Sequence, residues 1–157
     1  MLIAIHATVG AIVGSNVQKP VWSFILAFLL HFVVDMIPHG DANTYKAYKN
    51  KEHVTFGVAL VVIDTIATIL LVIGWFWSYD FISPASVAWG IAGGVLPDLL
   101  VGLYELSATK FAFLRRYHAF HFLNHNFVAN KHDWKFWPGM AFQLIILVLI
   151  QIGIRGF

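Results

Sequence analysis

The chain has no cysteine, which excludes disulfides and any thiolate metal site. Charge is almost as scarce. Only 11% of the 157 residues are charged, against about 25% in an ordinary soluble domain. The apolar N-terminus lacks a basic leader stretch and a cleavage pattern, so it is expected to persist as a helix. Neither a repeat of fixed period nor a second domain is visible, and a net charge of +2 gives no reason to expect nucleic acid. What the chain does have is hydrophobic residues, at 59%, and a mean hydropathy of +0.75. It also has eight histidines against ten Lys+Arg. An integral membrane protein is expected. With cysteine absent, a metal site must use imidazole and carboxylate, which suits zinc, iron or manganese.

Length and breakers mark five apolar segments, at about residues 2–17, 21–37, 54–77, 84–106 and 136–154. The expected fold class is all-α: a single polytopic bundle of about five transmembrane or re-entrant helices. Residues 39–53 read as a basic loop or short surface helix. Residues 107–135 read as an interfacial amphipathic helix plus loop. Trp75, Trp77, Trp134 and Trp137 fall at segment ends, as in an aromatic belt. The first segment carries a small-residue face of Ala7, Gly10, Ala11 and Gly14, suited to close helix packing. Threading five spans puts Lys46, Lys49, Lys51, Lys110, Arg115, Arg116, Lys131 and Lys135 on the side of the N-terminus. Lys19 and Arg155 fall on the other side. That bias predicts a cytoplasmic N-terminus, in a bacterial-type inner membrane.

The polar residues inside these segments carry the chemistry. An Asp within a span costs at least ~2.5–3.5 kcal/mol on insertion scales and is a functional candidate by default. His6, the pair His31 and Asp35, and Asp98 come from three segments. At about 1.5 Å per residue, all lie roughly 5–10 Å below one membrane face. His31 and Asp35 are four residues apart, so both project from one helix face, and His39 extends the row past Pro38. An imidazole and a carboxylate so placed suit one metal or a bridged pair. His118, His121 and His125 form a second row at i, i+3 and i+7, a candidate lid of further ligands. Blander roles compete with these. His6 can be an interhelical donor, the His31/Asp35 pair a plain hydrogen bond, and Asp98 a cap beside Pro97. Asp64 is expected to support a ligating histidine or to bond near Thr65 and Thr68. His53 and His132 are expected at the surface.

The stretches His31-x-x-x-Asp35, His6 in HATVGAIVG, GGVLPD ending at Asp98, and the histidine-rich segment 118–125 together give a resemblance. The chain resembles the small membrane-bound metal-dependent hydrolases of the YdjM type and, more distantly, helical zinc-dependent phospholipase C. It departs from them in the order of the stretches. It also has Leu99 and Leu100 where a further acidic residue is usual. The resemblance implies a divalent metal, zinc first and manganese or iron next. His6, His31, Asp35 and Asp98 would be ligands, with His39, His118, His121 and His125 completing the site. Asp35 and Asp98 would be the catalytic carboxylates, and Arg115 and Arg116 would hold an anionic headgroup. The expected function is hydrolysis of a phosphoester or ester of a lipid-like substrate at the cytoplasmic interface. Membrane lipid is the expected partner, and self-association is allowed. Two alternatives compete: a membrane di-iron oxidase or desaturase-like enzyme, and a non-enzymatic protein whose His/Asp cluster serves packing or ion and proton conduction. Metal content separates the enzymes from the last, and iron separates oxidation from hydrolysis.

Overall fold

A computed structural model describes residues 1–107, 111–129 and 133–154. Its regular structure among the described residues is helical throughout. Seven helices follow in order: α1 Ile3–Val17, α2 Pro20–Asp35, α3 Ala42–Lys49, α4 Val54–Ser78, α5 Pro84–Leu106, α6 Ala112–Ala129 and α7 Phe136–Ile154. The helix boundaries have local causes. Prolines open α2 and α5, where the missing N–H has no intrahelical partner to lose. Gln18 closes α1 in the left-handed conformation, its N–H bonded to the Gly14 carbonyl. Pro38 turns the chain away from helix just after α2.

Among the described residues two helices, α4 and α5, are long and apolar enough to cross a membrane. The sequence suggested five spans, but α1 and α2 have only 15 and 16 residues. At ~1.5 Å per residue they fall short of a ~30 Å hydrocarbon core. α7 is apolar but likewise shorter than α4 and α5.

The centre of the bundle is α5, which packs most extensively against α1 and α2. Glycine makes that approach possible. A Cβ at Gly90 would strike the Gly10 carbonyl of α1, and one at Gly94 would strike the His6 carbonyl. A Cβ at Gly93 would strike the Phe24 carbonyl of α2. Backbone therefore meets backbone on two faces of α5, the close packing that small residues allow between apolar helices. The helix that carries Asp98 is thus pressed against the helices that carry His6 and His31. On the other side of α1, Gln151 of α7 accepts from Trp75 of α4 and donates to Thr8, at 2.9 and 3.2 Å.

Gly90→Ala is expected to destabilise the fold by about 1–3 kcal/mol, since the methyl group has no room. Gly74, in α4, has nothing within 4 Å of an added Cβ. Gly74→Ala should stabilise by roughly 0.5–1 kcal/mol through helix propensity. Detergent-unfolding titrations of the two variants should move in opposite directions. Equal stabilities would contradict the packing account.

Candidate metal centre

Four elements deliver the polar side chains to one place. α1 brings His6, α2 brings His31 and Asp35, α5 brings Asp98, and α6 brings His121 and His125. His39 and Asp41 come from the turn between α2 and α3. That turn is held by Asp133, whose carboxylate accepts from the N–H groups of His39, Gly40 and Ala42 at 3.1, 2.7 and 3.1 Å. Gly40 adopts a positive φ of 86° there, a conformation that favours glycine.

Three groups have one donor atom per residue, all within 4.8 Å of one another: His6/His31/Asp98, His31/Asp35/His121 and Asp35/His39/His125. They overlap. His31 belongs to two of them and Asp35 to two, so the groups form a continuous row and not separate pairs.

The histidines are oriented from behind. His31 donates from Nδ1 to the Gly94 carbonyl at 2.8 Å, and His39 donates from Nδ1 to the Ile37 carbonyl at 2.6 Å. For His31 the carbonyl acceptor fixes the proton on Nδ1, leaving Nε2 with a lone pair aimed at the cluster, the usual arrangement behind a metal-ligating imidazole. His6 stacks on His31 with ring centroids 3.9 Å apart.

The spacing of the donors is wider at one end than at the other. His121 Nε2 is 3.3 Å from Asp35 Oδ2, His6 Nε2 is 3.5 Å from Asp35 Oδ1, and His31 Nε2 is 3.7 Å from Asp98 Oδ1. Those distances exceed the ~2.7–3.2 Å of an N–H···O bond. A tetrahedral ion with bonds of ~2.0–2.1 Å sets its ligands about 3.3–3.4 Å apart. At the other end the groups are closer. Asp41 lies 2.8 Å from His39 Nε2 and 3.1 Å from His125 Nε2, and the two imidazoles are 3.2 Å apart.

Unmet hydrogen-bonding capacity points the same way. Nine buried side-chain N or O atoms lack a hydrogen-bond partner among the described residues. All belong to this region: both nitrogens of His6, His31 Nε2, Asp35 Oδ2, Asp41 Oδ1, Asp98 Oδ2, Tyr117 Oη, and the Nδ1 atoms of His121 and His125. Each such group costs about 1–3 kcal/mol when left unmet. A cation would use most of the free carboxylate and imidazole lone pairs. The Met1 ammonium already sits 2.9 Å from Asp35 and 3.2 Å from Asp41, which shows that these carboxylates hold positive charge. Burial works against the ionised Asp41, but the Met1 ammonium, His125 and His39 hold its carboxyl well below the usual carboxylate range. Burial disfavours the His125 imidazolium, yet Asp41 and Asp35 raise its pKa above the ordinary value.

The remaining candidates lie elsewhere. His118 is absent from the three groups. It lies 2.9 Å from the Tyr45 hydroxyl, which donates to Glu105 at 2.7 Å, while Lys49 donates to both Glu105 oxygens at 3.1 Å. His118 stacks on Tyr104, and burial keeps its pKa below the ordinary value. Arg115 and Arg116 are exposed and make no ion pair among the described residues. Asp64 caps α1: it accepts from the N–H groups of Ile3 and Ala4 at 2.6 and 3.3 Å, satisfying donors that a helix start leaves free. Its backbone carbonyl accepts from Thr68. His53 is exposed, and His132 lies outside the described residues.

Two members of the cluster were not expected from the sequence. Asp41 stands two residues after His39, and Tyr117 stands one helical turn before His121. The inward row of α6 is 117, 121 and 125, at i, i+4 and i+8. No protein-family model, curated protein or solved structure matches the chain. The chemistry is therefore argued from its own residues.

Burial, followed by its bond to Glu105, raises the Tyr45 pKa above that of an ordinary tyrosine. Its contribution to stability is complete below about pH 10, where an unfolded tyrosine ionises, and is lost as pH rises through the folded pKa. Tyr45→Phe should cost about 1–2 kcal/mol at pH 7 and flatten the loss of stability above pH 10. Melting temperatures in detergent across that range test both; an unchanged alkaline slope would contradict the assignment.

Proposed function

We propose that this chain is a membrane-embedded metal-dependent hydrolase, acting on a phosphoester or ester of a lipid-like substrate. The observation that carries the reading is the overlap of three His/Asp groups around His31 and Asp35, with several of their ring and carboxylate atoms unpartnered. Zinc fits best, because imidazole and carboxylate are its ordinary ligands. A divalent metal bound there supplies a Lewis acid and lowers the pKa of water.

The chain's own residues do the rest. His6, His31 and Asp98 form one end of the row, and Asp35, His39 and His125 the other, with Asp41 beside them. Asp35, shared between two groups, would help hold the metal, and its second oxygen would be placed to take a proton from water. Asp98 is the most exposed member of the three groups, its side chain 20% accessible, and is the natural side for substrate to approach. α1, α2, α4, α5 and α7 are read as membrane-embedded, with the N-terminus and the basic segments cytoplasmic. On α6, Phe113, Phe120, Leu123 and Phe127 are exposed. That face suits the headgroup region, with Arg115 and Arg116 drawing anionic lipid to it. The choice of a lipid ester rests on the resemblance and on the depth of the site.

Elemental analysis of detergent-purified protein tests the reading. One or more equivalents of zinc or manganese, lost in Asp35→Ala, are expected. Iron with a visible spectrum would favour oxidation instead. No metal in the wild type after reconstitution with added salts would overturn the reading and leave packing or ion conduction.

A further inference from the structure

We propose that the Tyr117 hydroxyl is the donor that holds an anionic phosphoryl oxygen of a ligand seated against the His/Asp centre. The inference deepens the metal-centre reading and rests on it. Tyr117 shares the inward row of α6 with His121 and His125, and its ring lies 6.1 Å from the His121 ring. His121 in turn touches both carboxylate partners, Asp35 at 3.3 Å and Asp98 at 3.8 Å. The Tyr117 oxygen is shielded from solvent and bonds to nothing among the described residues.

That isolation is informative, because a buried phenol ordinarily finds a partner. The carboxylates nearby are strong acceptors, yet neither Asp35 nor Asp98 takes the hydroxyl proton. Two imidazoles of the centre already spend a proton elsewhere. His31 and His39 spend their Nδ1 protons on backbone carbonyls, and their Nε2 atoms face the carboxylates. Three carboxylates, Asp35, Asp41 and Asp98, would repel an anion unless a cation and a donor offset them. A phenol adds a donor with no charge, and so serves an anionic oxygen without displacing the cation. The ligand class this selects is a phosphate monoester or diester, with inorganic phosphate as its smallest member.

Tyr117→Phe keeps the ring, including its stacking on Phe113, and removes only the hydroxyl. Zinc content and the affinity for inorganic phosphate are measured on zinc-loaded wild type and variant, the latter by titration calorimetry. The expected result is equal zinc, with phosphate bound about tenfold more weakly by the variant, the effect of one hydrogen bond to a charged group. Equal zinc with equal phosphate affinity, or no phosphate binding by either protein, would overturn the inference alone. Loss of zinc in the variant would also overturn it, by making the hydroxyl part of the metal site's support. A wild type that takes up no zinc would overturn the metal reading and this inference together.

Discussion

Burying the Asp35 carboxylate is the constraint on which the rest of the structure depends. The side chain is 1% exposed, inside a bundle made almost wholly of apolar helices. An ion in such a place loses several kcal/mol of hydration even after relaxation, and it persists only with opposite charge and donors close by. Here His6 approaches from α1, His121 from α6, and the Met1 ammonium from the chain terminus. None of these is local in sequence except to its own helix. The helices must therefore converge closely enough to bring them within about one ligand edge of each other.

Glycine supplies that convergence. Gly10, Gly90, Gly93 and Gly94 let α1 and α2 lie against α5 with backbone touching backbone, so the short His and Asp side chains can meet. The helix ends are then satisfied by groups from distant helices. Asp64 takes the first N–H groups of α1, and Gln143 links α1 to the turn between α2 and α3 by accepting from Leu2 and donating to the His39 carbonyl. Each of these bonds lies in apolar surroundings where an unmet group is costly. Together they anchor the start of α1 and the turn that carries His39.

Much of this is legible in the sequence. The five apolar segments coincide closely with helices, because length, proline and glycine punctuation are local signals. The i, i+4 spacing of His31 and Asp35 places both on one face whatever the neighbours do. Asp41 and Tyr117 were hidden for a different reason. Asp41 meets His125 across more than eighty residues of chain, and no local pattern marks such a meeting. On α6, i+3 and i+4 neighbours share a face, so the histidines alone favour 118, 121 and 125 as readily as the observed 117, 121 and 125. His118 is drawn away by Glu105, Tyr45 and the face of Tyr104. Asp64 sits mid-segment, where support of a ligating histidine or a bond near Thr65 and Thr68 is the expectation; its backbone carbonyl does accept from Thr68, and its carboxylate caps α1 from another helix.

The central claim is that these imidazoles and carboxylates share a metal. X-ray absorption at the zinc edge of the loaded protein tests it most directly. The account predicts a shell of nitrogen and oxygen at ~2.0–2.1 Å, with the outer scattering of coordinated imidazole and no sulfur. An all-oxygen shell without imidazole scattering would contradict it.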